Sequence, residues 1–170
     1  MTPQEAQGLA AYLCQHLEME RQITQRILAA LPEEQLQFKL GDKGRTAAEL
    51  AWHVVQSERG FADGITGLSF SGWPDEAQVP TTAAEIAAVY DREVTPIVER
   101  LKAMDGEQLT TPVNFMGVAT VPVVLYIGWM AHHTIHHRAQ LSTYLRAMNA
   151  HVPAIYGGSA DEPMSAATAA

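Results

Sequence analysis

The chain is poor in positive charge. Its 170 residues hold 11 Lys and Arg against 19 Asp and Glu, a formal net charge of -8, with no basic block. Gripping a phosphate backbone needs a basic face, so nucleic acid is not an expected partner. Cysteine is nearly absent. Cys14 stands alone, which excludes an internal disulfide and a cysteine-built zinc site and suits a reducing cytoplasm. Long apolar runs are missing as well. The stretch 122–130 stops before His132, well short of the roughly 20 residues a membrane span needs. The opening residues carry glutamates early and no apolar core, so neither a secretory signal nor a membrane partner is expected. Ser57 lies in no G-x-S-x-G element, and no phosphate loop or dinucleotide fingerprint occurs.

What is present reads as helix. Hydrophobic residues make up 47% of the chain and charged residues 18%, ordinary values for one globular domain. Leu9, Leu13, Leu17, Ile27 and Leu31 recur at helical spacing across 3–31, and Pro32 ends that segment. Two Thr-Ala-Ala-Glu boxes, at Thr46 and Thr82, predict helices over 46–64 and 82–104. Pro96 should kink the latter or leave a carbonyl unpaired. A fourth helix is predicted from near Pro122 to near Asn149. The connections 32–45, 65–81 and 105–121 are long enough to cross a bundle end, and the last has room for a short strand over 113–121. The fold class is therefore all-α, a four-helix bundle with long crossover connections and an irregular C-terminal tail. The bundle domain is assigned to 1–151 and the tail to 152–170, with 164–170 expected to be mobile.

The fourth helix carries His132-His133-Thr134-Ile135-His136-His137. Residues four apart share a helix face, so His133 with His137, or His132 with His136, can present two imidazoles to one ion. The stripe Tyr126, Met130, His133, His137, Leu141, Tyr144 is apolar apart from its histidines and one phenol, and is expected to face the core. The stripe Leu125, Trp129, His132, His136, Thr143 lies next to it, and periodicity separates the two poorly. On the second helix His53 sits in the inward stripe Leu50, Val54, Ser57, Phe61. A third imidazole from a facing helix would complete three nitrogen donors and leave positions open. Neutral imidazole binds zinc, nickel, copper or ferrous iron well.

The segment His133-Thr134-Ile135-His136-His137-Arg138-Ala139-Gln140-Leu141-Ser142-Thr143-Tyr144-Leu145-Arg146 resembles the end-of-domain motif of the DinB/YfiT-like metalloprotein superfamily, H-x-x-H-H-R-G-Q-L-x-x-Y-L-R, with Ala139 in place of glycine. Thr46-Ala47-Ala48-Glu49-Leu50-Ala51-Trp52-His53 is similar to its second-helix motif. Val152-Pro153-Ala154-Ile155-Tyr156-Gly157-Gly158-Ser159-Ala160-Asp161-Glu162 is similar to a common family ending, with Gly158 in place of proline. The resemblance implies His53, His133 and His137 as ligands of a divalent metal, zinc or nickel ahead of iron or manganese, a four-helix bundle and a homodimer. It makes His132 and His136 neighbours that orient a ligand, shuttle protons or sit at a helix interface. Its relatives imply a thiol-dependent S-transferase acting on a small-molecule substrate with a low-molecular-weight thiol. The alternatives are a metal-dependent hydrolase and a non-catalytic metal- or ligand-binding stress-response protein.

Other residues have two readings each. Glu20 either turns inward as an acceptor for a ligand histidine or lies on a solvated face. Gln140, three residues after His137, serves as a helper beside His136 or bonds the next helix. Arg59, Arg138 and Arg146 either meet an acidic thiol or make surface ion pairs. Trp52, Trp73 and Trp129 are expected to pack, with Trp73-Pro74 also able to form a pocket lid.

Overall fold

The structure is a computed structural model and describes residues 1–164. Helix α1 spans Pro3–Ala29, α2 Ala47–Thr66, α3 Ala83–Val94, α4 Ile97–Lys102, α5 Gly106–Thr110 and α6 Val124–Ala147. Strands β1, Pro112–Phe115, and β2, Ala119–Pro122, form a hairpin between α5 and α6. The mobile end expected over 164–170 falls, past Met164, outside the described residues. The architecture is mostly helical, as the sequence predicts, and α6 is its central rod, packed against both α1 and α2. Ile27, Ile65, Ile127 and Leu141 are fully buried between these helices, each stabilising the fold by about 1.5–3 kcal/mol.

The ends of the helices follow from local chemistry. Thr2 and Thr46 each close a reciprocal capping box, with Glu5 and Glu49. At Thr82 only half of the box forms. Its hydroxyl accepts from the Glu85 amide, and Glu85 does not return the bond. Glu33, 50 residues back, takes over by accepting from the Ala83 and Ala84 amides at 2.9 and 3.1 Å. A carboxylate at a helix start also matches the helix dipole. Helices α2 and α6 both end in Schellman turns. Leu68 and Asn149 adopt positive φ, and the Ser69 and Ala150 amides reach back to the Gly64 and Leu145 carbonyls.

Two features refine the sequence reading. The predicted third helix is two, because Pro96 has no amide hydrogen to continue α3. The predicted short strand is a hairpin with a three-residue connection, Met116, Gly117 and Val118, in which Met116 and Gly117 take φ 49° and 79° and the Val118 amide closes on the Phe115 carbonyl. The Tyr126 hydroxyl, on α6, donates to the Val113 and Ala119 carbonyls at 2.8 and 3.1 Å and so fastens both strands.

Buried charge holds the bundle together. Arg138 is not a surface ion-pair residue as one reading of the sequence had it. It is 1% exposed and pairs with buried Glu20 at 2.5 Å, tying α6 to α1. Its guanidinium also donates to the Glu20 carbonyl, the Thr24 hydroxyl and the Tyr156 hydroxyl. Glu20 is inward, yet its partners are Arg138, His16 and Tyr156 and not a site histidine. The tail is thereby linked to the core. Its Glu162 accepts from the Ala154 amide and Arg26, and Asp161 from the Val152 amide and Arg146.

Glu58, on α2, is a second buried carboxylate. It accepts from Tyr90 at 3.0 Å and Thr134 at 2.9 Å. Burial outweighs both bonds and pushes its pKa from 4.5 up to about 7. Between those values the folded chain holds a proton that the unfolded chain has released. Glu58 therefore makes stability fall as pH rises from about 4.5 through 7. Gln keeps the acceptor oxygen without the charge. Melting of Glu58→Gln against the parent chain from pH 5 to pH 8 should show an advantage growing to several degrees at the alkaline end. A difference that stays constant with pH would contradict a charge penalty at this residue.

Candidate metal centre

The two histidine helices face each other. His53 lies in the second turn of α2, and His133 and His137 lie one turn apart in the middle of α6. Ring centroids are 5.0 Å apart for His53 and His133, 4.6 Å for His53 and His137, and 4.4 Å for His133 and His137. One nitrogen from each ring lies within 4.8 Å of the other two, so the three can converge on one ion. The structure also separates the two stripes of α6. His132 and His136 are exposed, whereas His133 and His137 are half-buried.

Hydrogen bonds orient two of the rings. His53 Nδ1–H donates to Glu76 Oε1 at 2.7 Å, and His137 Nδ1–H donates to Gln140 Oε1 at 2.7 Å. Each bond fixes the tautomer and leaves Nε2 as the free donor atom, the usual way an outer partner holds a ligand histidine. The amide of Gln140 in turn donates to His136 Nε2 at 3.2 Å. His136 and Gln140 thus stand beside His137, with Gln140 in direct contact.

The third ring tests whether the site fits a cation. His133 Nδ1 is buried and has no hydrogen-bond partner among the described residues. Burial, with repulsion from the other histidines, lowers the His133 pKa to about 4, so the ring is neutral at pH 7. Burial also lowers that of His137. A neutral imidazole with an unsatisfied nitrogen, completing a cluster of three ring nitrogens, is what a divalent ion needs, and the set fits one.

Glu76 is the residue the sequence reading missed. It comes from the connection after α2, and its second oxygen pairs with Arg45 at 2.6 Å. Burial alone would raise its carboxyl, but bonds from Arg45 and His53 hold it below the ordinary glutamate range. Two glycines on α2 bring that connection close. A Cβ on Gly64 would lie 2.2 Å from the Phe70 ring, and one on Gly60 2.8 Å from Pro74 and 3.0 Å from Trp73. Glycines one turn apart on a helix were the available signal. Glu58 had a clearer one, since it continues the inward stripe of Val54, Phe61 and Ile65.

Two cavities flank the histidines. One, of about 450 Å³, reaches His137 and Gln140 between Arg45, Leu50 and Tyr144. The other, of about 600 Å³, reaches His133 and His132. Arg59 and Arg146 are engaged with Glu93 and Asp161, and Arg45, which lines the first cavity, is engaged with Glu76. Among the described residues no helix is long and apolar enough to cross a membrane.

Comparison with known proteins agrees with this architecture. The uncharacterised protein YrdA of Bacillus subtilis (strain 168) is 30% identical over 146 residues, which cover 85% of this chain and 86% of that protein. The crystal structure of a DinB-like protein from Bacillus cereus ATCC 10987 superposes with a TM-score of 0.74 at 30% identity, over 85% of this chain and 95% of that one. A DinB-like protein of Bacillus subtilis, YjoA, shares the fold at 21% identity, with a TM-score of 0.70 over 85% and 96% of the two chains. The DinB family profile matches residues 4–166. A match of that extent, on a helical frame that brings His53, His133 and His137 together, makes this chain a member of the DinB family.

Proposed function

We propose that the chain is a metal-dependent enzyme of the DinB family, a thiol-dependent S-transferase whose ion is held by His53, His133 and His137. The observation that carries this reading is the convergence of three imidazoles beside two cavities. Zinc or nickel is the preferred ion, with iron or manganese next, because all-nitrogen neutral donors suit late first-row ions best. Such an ion supplies charge that holds a thiol deprotonated at neutral pH.

The chain's own residues do the rest. Glu76 and Gln140 keep His53 and His137 in one tautomer. Arg45, paired with Glu76 through one nitrogen, lines the cavity beside His137 and has further N–H groups for an acidic low-molecular-weight thiol, and Lys43 lies in the adjoining cleft. A sulfur–carbon bond forms on the electrophilic small molecule as its bond to the leaving group breaks. The thiol proton goes to solvent and the electron pair leaves with that group. A homodimer in a reducing cytoplasm, where such thiols stay reduced, completes the proposal.

The test combines monochlorobimane with cysteine-derived bacterial thiols on metal-loaded protein, set beside ester and amide panels. Thiol-dependent bimane conjugation, lost after chelation, is the expected result. Ester or amide cleavage without thiol would replace the transferase with a hydrolase. Silence in every panel would favour a non-catalytic binding protein.

A further inference from the structure

The cavity on the His133 side is walled by rings from four separate parts of the chain. Phe61 comes from α2, Trp73 from the connection after it, Phe115 from the end of β1 and Trp129 from α6. Phe61 and Phe115 lie parallel, 5.4 Å apart with 2° between their planes. Trp73 stands edge-on to Phe61 at 5.4 Å, and Trp129 edge-on to Phe115 at 5.8 Å. A second layer fixes the first. Phe70 abuts Phe115 at 4.9 Å, and Tyr126 abuts Trp129 at 5.1 Å while its hydroxyl fastens the hairpin that carries Phe115.

No lysine, arginine, aspartate or glutamate lines this cavity. Its polar members are His132 and His133. Without an ion on the histidines, a charged guest would lose hydration there and find no charged side chain lining the cavity. The volume of about 600 Å³ lies in the usual range for small-molecule sites. Trp129, 36% exposed, leaves part of its indole open to a guest. The opposite cavity, beside His137, carries Arg45 and so differs in the chemistry it favours.

We propose that the Phe61–Trp73–Phe115–Trp129 cavity is the subsite for an uncharged aromatic group, and that the small-molecule substrate enters the site by that group. Rings preferring edge-on and offset partners supply the selectivity. His133 belongs to both the cavity and the histidine cluster, so a guest seated here lies against the metal-binding residues. The word substrate rests on the enzymatic reading above; the aromatic subsite stands without it.

Calorimetric titration with 2-naphthol, naphthalene-2-sulfonate and cyclohexanol tests the subsite, on chelator-treated and on metal-loaded protein. The neutral naphthol should bind one per chain in both preparations. The sulfonate on chelator-treated protein, and the non-aromatic alcohol on both, should bind at least about tenfold more weakly. Trp129→Ala should weaken 2-naphthol about tenfold and Trp129→Phe should restore most of it. Equal binding of all three probes, or 2-naphthol binding unaltered in Trp129→Ala, overturns the proposal. So does failure of 2-naphthol to bind a wild-type dimer that Trp129→Ala converts to monomer in sedimentation, since the face then belongs to a second copy. The chelated preparation separates the two readings. Naphthol binding there with no turnover in any panel removes the enzyme and keeps the subsite, and thiol transfer without naphthol binding does the reverse.

Discussion

Arg138→Ala is expected to lower stability by about 3–5 kcal/mol, because it strands the buried Glu20 carboxylate without its partner. In a chain of this length that corresponds to a fall in Tm of about 10 °C. The cost is larger than for any surface pair because both groups are almost fully shielded, and because the same guanidinium holds the Glu20 carbonyl, Thr24 and the tail through Tyr156. The Arg26 pair with Glu162 is half exposed and should matter far less. Replacing both charges together, as Glu20→Leu with Arg138→Met, should recover most of the loss, since a well-packed apolar pair removes the desolvation penalty along with the attraction. Thermal and urea unfolding of the three proteins decide it. A loss under about 1 kcal/mol in Arg138→Ala would mean that Glu20 finds water or another partner at little cost.

His133→Ala is expected to abolish stoichiometric metal. Three imidazoles would fall to two, and the ring lost is the one whose buried nitrogen has no other partner. Elemental analysis of protein isolated without affinity resin should give about one ion per chain in the parent and close to none in the variant. Chelation should lower the Tm of the parent and leave that of His133→Ala unmoved, because an ion stabilises only the state that binds it. Glu76→Gln should be graded rather than absolute. It weakens the grip on His53 Nδ1 and should reduce metal affinity about 10–100-fold. Unaltered metal content in His133→Ala would show that the ion sits elsewhere.

Acid adds a check on the same ring. The His133 pKa is depressed to about 4 from an ordinary 6.5. Between those values the unfolded chain binds the additional proton, so this residue makes stability rise with pH across that window. The sign is opposite to that of Glu58, whose window overlaps it. The two partly cancel in the parent chain, which is why the comparison with Glu58→Gln isolates what a single melting profile would hide.

The helices were legible because their signals are local. Capping boxes, prolines and apolar spacing act within a turn or two, and the ends at Thr46 and Pro96 follow them. The Thr82 box was half right, since sequence cannot show that Glu33 would reach that helix end first. The candidate ligands were legible for a related reason. Spacing of four places His133 and His137 on one side of a rod, and the inward stripe does the same for His53. Choosing them over His132 and His136 depended on which side of α6 met α2, and adjacent stripes differ by a rotation that composition barely records.

Packing across distance settled the remainder. Arg138 looked like a surface cation in sequence, and it is the buried tie between α6 and α1 because Glu20 lies opposite it, 118 residues away. Glu76 reaches His53 only because Gly60 and Gly64 let the intervening connection lie flat on α2. The aromatic cavity needs four segments to arrive together. Helical periodicity is a property of neighbours along the chain, so residue order alone dictates the rods and the faces they offer. Which face meets which partner is a property of the whole packed interior, where desolvation and shape are shared among distant residues, and only the folded molecule resolves it.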